Sequence, residues 1–152
     1  MEIERKFIVK RLPTKPGAIA GSRIRQGYFP LRSRHIEIRV REKGSQHFIT
    51  IKSGRGGSRL EEEIPISRKR FKTLWSLVRG ASISKTRRKV AHRGFTIELD
   101  TYNGRHRGLK IAEVEFHSRR QARSFKSPSW FGREVTANPR YSNEALARQH
   151  RV

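Results

Sequence analysis

The chain opens with Met1-Glu2-Ile3-Glu4-Arg5-Lys6, and this stretch decides how the rest of the sequence is interpreted. Its charged residues Glu2, Glu4 and Lys6 recur at every second position, the period at which side chains share one face of a β-strand. The opposite face is apolar from Ile3 to residue 9, with Arg5 as the exception. The pattern predicts a strand over residues 2–9 whose charged face is organised rather than merely solvated.

The same alternation of charged and apolar residues recurs along most of the chain, interrupted by Gly- and Pro-containing turns. It predicts further strands over residues 22–29, 36–42, 46–52, 59–66, 83–90, 95–100 and 109–117. A helix is predicted between the N-cap residue Ser67 and Gly80, with an apolar stripe that we interpret as core packing. The stripe consists of Phe71, Leu74, Trp75 and Val78. Two short helices are expected over 119–125 and 143–149.

Composition sets the broad class of the protein. A length of 152 residues suits a single domain, which we expect to cover 1–152. With 36 Lys and Arg against 13 Asp and Glu, the net charge of +23 favours polyanionic partners. The absence of cysteine excludes disulfides and thiolate metal sites, and the six histidines show no zinc spacing. No long apolar run or signal-peptide core occurs, so we expect a cytoplasmic protein without a membrane span.

The acidic residues are distributed unusually, because eight of the 13 lie in pairs two residues apart. The pairs are Glu2/Glu4, Glu61/Glu63, Glu98/Asp100 and Glu113/Glu115. Basic residues share these strand faces: Lys6, Arg39, Arg41, Lys52, Arg59, Lys85 and Arg87. On a half-buried antiparallel sheet, any one pair would be explained by cross-strand salt bridges. In a closed barrel, the charged faces would line a tunnel in which carboxylates hold divalent cations and bases hold phosphate.

This ordered set of motifs resembles the signature of the CYTH superfamily, the triphosphate tunnel metalloenzymes, over nearly the whole chain. The tail around residues 130–143 is similar to that of the short bacterial members. The resemblance implies an α+β fold in which an eight-stranded antiparallel closed β-barrel, the triphosphate tunnel, carries a few flanking helices. It also implies divalent-metal-dependent hydrolysis of a triphosphate, inorganic tripolyphosphate being the leading candidate, with ATP and thiamine triphosphate as other substrates of similar enzymes.

By position, the resemblance assigns roles to individual residues. The triphosphate-binding set is Lys6, Arg39, Arg41, Lys52, Lys85 and Arg87, to which Arg59 is added because it shares the charged face. The metal-binding set, for Mg²⁺ or Mn²⁺ in a two-metal site, is Glu2, Glu4, Glu61, Glu63, Asp100, Glu113 and Glu115. Lys6 and Tyr28 match a catalytic Lys–Tyr pair attributed to some short bacterial members. Ordinary packing of Tyr28, with its hydroxyl hydrogen-bonded, is an equal alternative.

Two other functions stay open at this point. A class IV-type adenylate cyclase has the same fold and would make cyclic AMP from ATP. A non-catalytic module binding polyphosphate or nucleic acid is the alternative from a different class, motivated by the net charge of +23. Most basic residues lie outside the paired motifs, so the exterior is predicted to be strongly positive and open to secondary polyanion binding. The pattern does not distinguish a monomer from a homodimer.

Overall fold

In a computed structural model of the chain, the described residues are 3–13, 20–33, 35–55 and 58–149, without the side chains of 55, 58 and 59. They form nine strands: β1 (Ile3–Val9), β2 (Ser22–Tyr28), β3 (Ile36–Lys43), β4 (Gln46–Arg55), β5 (Ser58–Pro65), β6 (Ser82–His92), β7 (Phe95–Tyr102), β8 (Lys110–Phe116) and β9 (Phe131–Glu134). The helices are α1 (Arg68–Val78), α2 (Arg119–Ser124) and α3 (Asn143–Arg148). Two predicted site groups, Glu2 and the Arg59 side chain, lie outside the described part.

All nine strands belong to one sheet, in the order β5-β4-β3-β2-β6-β7-β8-β1-β9, and every pairing is antiparallel. The prediction of an eight-stranded closed barrel is therefore wrong in strand number and in closure. The short strand β9 pairs with β1 through Phe7↔Glu134 and Val9↔Phe131. It takes the edge of β1 that closure would have required, and within the described residues no ladder joins β9 to β5.

One face of the sheet, called here the apolar face, carries the main core. Phe7 and Val9 of β1 lie in a buried cluster with side chains of β7 and β8 and with Phe125, which follows α2. A second cluster on this face packs Phe71 and Val78 of α1 against β3, which confirms the core role predicted for the helix. Ser67 caps α1 as expected, its hydroxyl accepting from the backbone N–H of Arg70 at 3.1 Å.

Arg5 is the charged residue among the apolar side chains of β1. Hydrogen bonds and a contact with an aromatic ring hold its side chain on the apolar face. Its guanidinium donates to both carboxylate oxygens of Glu134, at 2.9 and 2.7 Å, and to the carbonyl of Ala122 at 3.0 Å. The same group lies 5.0 Å from the ring centroid of Phe7, a cation–π distance. Arg5 thus ties β1 to β9 and to α2.

The opposite face, called here the charged face, is not charged along its whole extent. At one end Tyr28, Tyr102 and Ile111 form a buried cluster with Leu146 and Ala147 of α3. The helices therefore cover parts of both faces. Within the described part of the chain, no helix has the length and apolarity needed to cross a membrane.

Candidate functional site

Strand register brings carboxylates directly opposite one another on the charged face. Glu4 of β1 pairs with Glu115 of β8, and Glu113 of β8 pairs with Glu98 of β7. Like charges in directly opposed positions destabilise a sheet unless cations are placed among them. The opening strand supplies one such cation, since Lys6 lies opposite Glu113.

Two basic side chains hold this acidic group together. Arg87 donates to both oxygens of Asp100, at 2.7 and 2.8 Å, reaches Glu113 at 3.2 Å and also contacts Glu98. The ammonium of Lys6 lies 3.1 Å from Glu4 and 3.3 Å from Glu113. These six charged groups therefore form one continuous network, in which each carboxylate shares a cation with a neighbour.

Titration of the network follows from its burial and charge. Burial alone would lower the pKa of Lys6, but the charges of Glu113 and Glu4 outweigh it and raise that pKa above its ordinary value. Burial would likewise raise the pKa of Glu113, but Lys6, Lys85 and Arg87 lower it to about 2. At neutral pH Lys6 is thus an ammonium and Glu113 a carboxylate.

Lys85 connects the network to α3. Its ammonium lies 2.6 Å from Asp100, and both side chains are almost completely buried. Burial lowers the pKa of Lys85 to about 8, since the attraction of Asp100 offsets only part of the desolvation. The Asn143 side-chain oxygen, at the start of α3, lies 3.4 Å from the Lys85 ammonium and accepts from the Tyr102 hydroxyl at 2.7 Å.

The other half of the charged face, on β3 to β5, contains two buried arginines that lack close carboxylate partners. Arg39 is 6% exposed, and its terminal nitrogens lie 4.0 Å from the nearest carboxylate oxygens, those of Glu37 and Glu61. Arg41 lies 3.8 Å from Glu63, which is also too long for a hydrogen bond. Among the described residues, the buried Nε atoms of both arginines have no hydrogen-bond acceptor.

The pKa of Arg41 also indicates that too little negative charge lies near its guanidinium group. Burial lowers the pKa of Arg41 below its usual value, and the neighbouring charges of Arg39 and Arg87 lower it further. Buried donors without acceptors are costly, and so are guanidinium groups that repel one another. An anion with several oxygen atoms would supply acceptors to this part of the face and offset its positive charge.

Tyr28 lies on the same face but in a different environment from Lys6. Its hydroxyl accepts from the Gln26 amide at 2.6 Å and lies beside Arg39. Burial raises the pKa of Tyr28, so the hydroxyl stays protonated at neutral pH. In the described structure no hydrogen bond links Lys6 to Tyr28, and three strands separate β1 from β2. The catalytic pairing of these two residues stays a prediction.

The carboxylates provide the donor set that a hard divalent cation requires. Glu4, Glu98, Asp100 and Glu113 offer only oxygen ligands and lie in one connected group, which fits Mg²⁺ or Mn²⁺ chemically. Their oxygens are directed at Lys6 and Arg87, and among the described residues no three acidic or histidine side chains already surround a common point. Occupation by a cation therefore requires these basic groups to move away from the carboxylates.

The predicted metal ligands fall into separate groups. Glu4, Asp100 and Glu113 are brought together, whereas Glu61 and Glu63 lie on the edge strand β5, beside Lys52 and Arg41. Glu98 is missing from the predicted metal ligands, although its position two residues before Asp100 is a sequence signal that could have identified it. The sequence interpretation also missed Gln26 and Asn143, because neutral polar residues leave no charge pattern.

Comparisons with known proteins place the chain among characterised relatives. A family model described as the CYTH domain matches residues 1–148. An inorganic triphosphatase of Nitrosomonas europaea is 42% identical over 147 residues, covering 96% of each chain. An inorganic triphosphatase of Acetivibrio thermocellus is 39% identical over 150 residues, covering 97% of this chain and 93% of the relative. A crystal structure of an inorganic triphosphatase superposes with a TM-score of 0.78 at 39% identity, covering 98% of this chain and 95% of the other.

Proposed function

The chain belongs to the CYTH domain family, and on that premise we propose that it is an inorganic triphosphatase that hydrolyses tripolyphosphate with a divalent metal ion. One observation carries this proposal: two buried arginines, whose Nε–H groups have no acceptor among the described residues, share a sheet face with a connected group of carboxylates. The first can bind phosphate oxygens and the second can bind a cation. A metal–triphosphate complex is the class of ligand that needs both.

Phosphate binding is assigned first to Arg39 and Arg41. Their orphaned Nε–H groups would gain acceptors from a bound triphosphate, and their mutual repulsion would be relieved. Lys52 lies 3.0 Å from Glu61 and can exchange that contact for a phosphate oxygen. We extend the set to the other predicted bases, which are Lys6, Arg59, Lys85 and Arg87.

Metal binding is assigned to the acidic half of the face. The proposed ligands are Glu4, Glu98, Asp100 and Glu113, extended by prediction to Glu2, Glu61, Glu63 and Glu115 for a second ion. When bound, Mg²⁺ or Mn²⁺ supplies neutralisation of phosphate charge and a water molecule of lowered pKa. Lys6 and Arg87, which contact these carboxylates, would then become available to bind the substrate.

Protonation limits the roles that Lys6 and Tyr28 can take. The raised pKa of Lys6 makes it a permanent cation near neutral pH, so it acts by binding charge rather than by removing a proton. The raised pKa of Tyr28 keeps its hydroxyl a donor. Both groups therefore suit electrostatic stabilisation of a phosphoryl group and orientation of a nucleophile, not general-base catalysis.

A substrate panel tests the proposal. Phosphate release is measured from tripolyphosphate, ATP and thiamine triphosphate with Mg²⁺ or Mn²⁺, for the wild type and for Glu4→Ala and Lys6→Ala. We expect tripolyphosphate to be hydrolysed fastest and both substitutions to lower its rate, while the exposed-site variant Glu134→Gln leaves it unchanged. The proposal would be contradicted if no phosphate were released, or if neither substitution altered the rate of release. Cyclic AMP appearing from ATP would instead identify an adenylate cyclase, and tight, salt-sensitive binding without turnover would identify a polyanion-binding module.

A further inference from the structure

A surface pocket of about 440 Å³ lies beyond the end of β1, beside the connection between β7 and β8. Four of its lining side chains are basic, Lys10, Arg105, Arg107 and Arg133, and among the described residues no carboxylate lines it. Lys10 is four residues from Lys6, which corresponds to roughly 13 Å along an extended chain. None of these residues belongs to the candidate triphosphate site.

The basic residues of the pocket differ in how far they are already engaged. Arg105 donates to the Ser82 carbonyl at 3.0 Å and to the last carbonyls of α3, so it holds that helix in place. Lys10 and Arg107 are exposed, and within the described structure their side chains make no hydrogen bond or ion pair. Arg133 is 3.3 Å from the hydroxyl of Tyr141. Three cations thus surround one pocket without an opposing charge, which favours an anion there.

His106 supplies an independent observation at the same place. It lines the pocket yet is only 4% exposed, and its Nε2 lies 2.6 Å from the carbonyl of Leu146, so Nε2 carries a proton. The Nδ1 atom is buried and, among the described residues, has no hydrogen-bond partner. With the proton on Nε2, Nδ1 is an acceptor, so a hydroxyl or amino group carried by an organic anion in the pocket could donate to it.

We propose that this pocket binds a phosphate-bearing anion at a second site, distinct from the candidate triphosphate site. Its volume exceeds what one orthophosphate needs and lies within the range of small-molecule sites. Ile8, Leu109 and Tyr141 add an apolar wall that could contact an organic group. The shared chemistry is a diphosphate unit, either free as pyrophosphate or carried by a nucleotide. The basic side chains of this pocket are part of the positive charge that lies outside the candidate triphosphate site.

Calorimetric titration with pyrophosphate and with ADP tests this site. The protein carries Arg39→Gln and Arg41→Gln to disable the candidate triphosphate site, and EDTA removes divalent ions. We expect one anion to bind per chain, and the added changes Lys10→Gln and Arg107→Gln to weaken binding at least about tenfold, since each removes a charge-assisted hydrogen bond. The matched control, Lys69→Gln with Lys72→Gln, removes the same charge from exposed positions of α1 and should have little effect.

The outcomes separate the proposal from its rivals. Tighter binding of ADP than of pyrophosphate identifies a nucleotide site, and equal binding identifies an inorganic one; both support the proposal. Binding of neither anion overturns it, as does an equal loss in the control, which would indicate general attraction to a basic surface. In the otherwise wild-type protein, Lys10→Gln with Arg107→Gln should leave tripolyphosphate hydrolysis unchanged. A lost rate would show that the pocket is not distinct from the catalytic site.

Discussion

Replacing Asp100 by Asn tests the electrostatics of the charged face with little change of shape. The Asp100 side chain is fully buried and accepts from Lys85 at 2.6 Å and from Arg87 at 2.7 and 2.8 Å. The amide of Asn fills the same space but removes the charge that both cations share. Lys85 would then be buried without a close carboxylate partner.

The expected cost follows from this burial. Removing one partner of a buried ion pair costs about 3–5 kcal/mol, out of roughly 5–15 kcal/mol for a whole domain. With a urea dependence of about 2 kcal/mol per molar for a small protein, the unfolding midpoint should fall by about 2 M. The measurement is urea unfolding in EDTA, so that no bound metal ion replaces the lost contacts.

Glu134→Gln is the matched control, because it makes the same chemical change at an exposed site. Glu134 also binds an arginine through two hydrogen bonds, but its side chain is 40% exposed. Water compensates for most of what is lost, and we expect a cost below about 1 kcal/mol. A loss at Asp100 no greater than that at Glu134 would mean that the buried network does not stabilise the fold as inferred.

Three further predictions concern other parts of the chain. Arg41→Gln should raise the KM for tripolyphosphate at least about tenfold without lowering the midpoint of urea unfolding. The reason is that the buried Nε of Arg41 has no hydrogen-bond partner among the described residues, so little stabilising contact is lost. A marked loss of stability argues against an anion site. Because the pKa of Glu113 is lowered from 4.5 to about 2, the metal-free protein should lose about 3 kcal/mol of stability as pH falls through that range. Thermal unfolding between pH 5 and pH 2 checks this, and Glu113→Gln should flatten the dependence. Gly27→Ala should cost about 1–3 kcal/mol, since its Cβ would lie 2.5 Å from Val78, whereas Gly80→Ala meets open space and should be tolerated in the same urea assay.

Much of the fold was predictable because side-chain alternation is a local signal. The faces of β1, β7 and β8 follow directly from period two in the sequence, and buried residues such as Phe7 and Ile97 lie where that period puts them. The start of α1 was equally local, since Ser67 caps it. These elements needed no knowledge of their partners.

Closure of the sheet was not predictable in the same way. Which edge pairs with which depends on contacts between distant segments, and a four-residue strand such as Phe131–Glu134 is too short to show periodicity. The role of Arg5 was also hidden, because its partner Glu134 lies on that short strand. The placement of α3 on the charged face depends likewise on long-range packing around Tyr102.

The sequence predicts which face of its strand each residue of the candidate site lies on, but not how deeply its side chain is buried. The sequence places Glu98 and Asp100 on one face equally, whereas the fold buries Asp100 completely and leaves Glu98 nearer the solvent. It could not reveal that the Nε atoms of Arg39 and Arg41 lack acceptors among the described residues, which depends on distances across the sheet. Those buried, unsatisfied Nε–H groups are the structural feature that most strongly indicates an anion site.

The decisive experiment is the initial rate of phosphate release from tripolyphosphate, measured first in EDTA and then after addition of excess Mg²⁺ or Mn²⁺. If carboxylates and arginines on the charged face form one metal–triphosphate site, release should be absent in EDTA and should appear with either ion, and Arg41→Gln should reduce it. Release that is equally fast in EDTA, or absent under all these conditions, is incompatible with such a site.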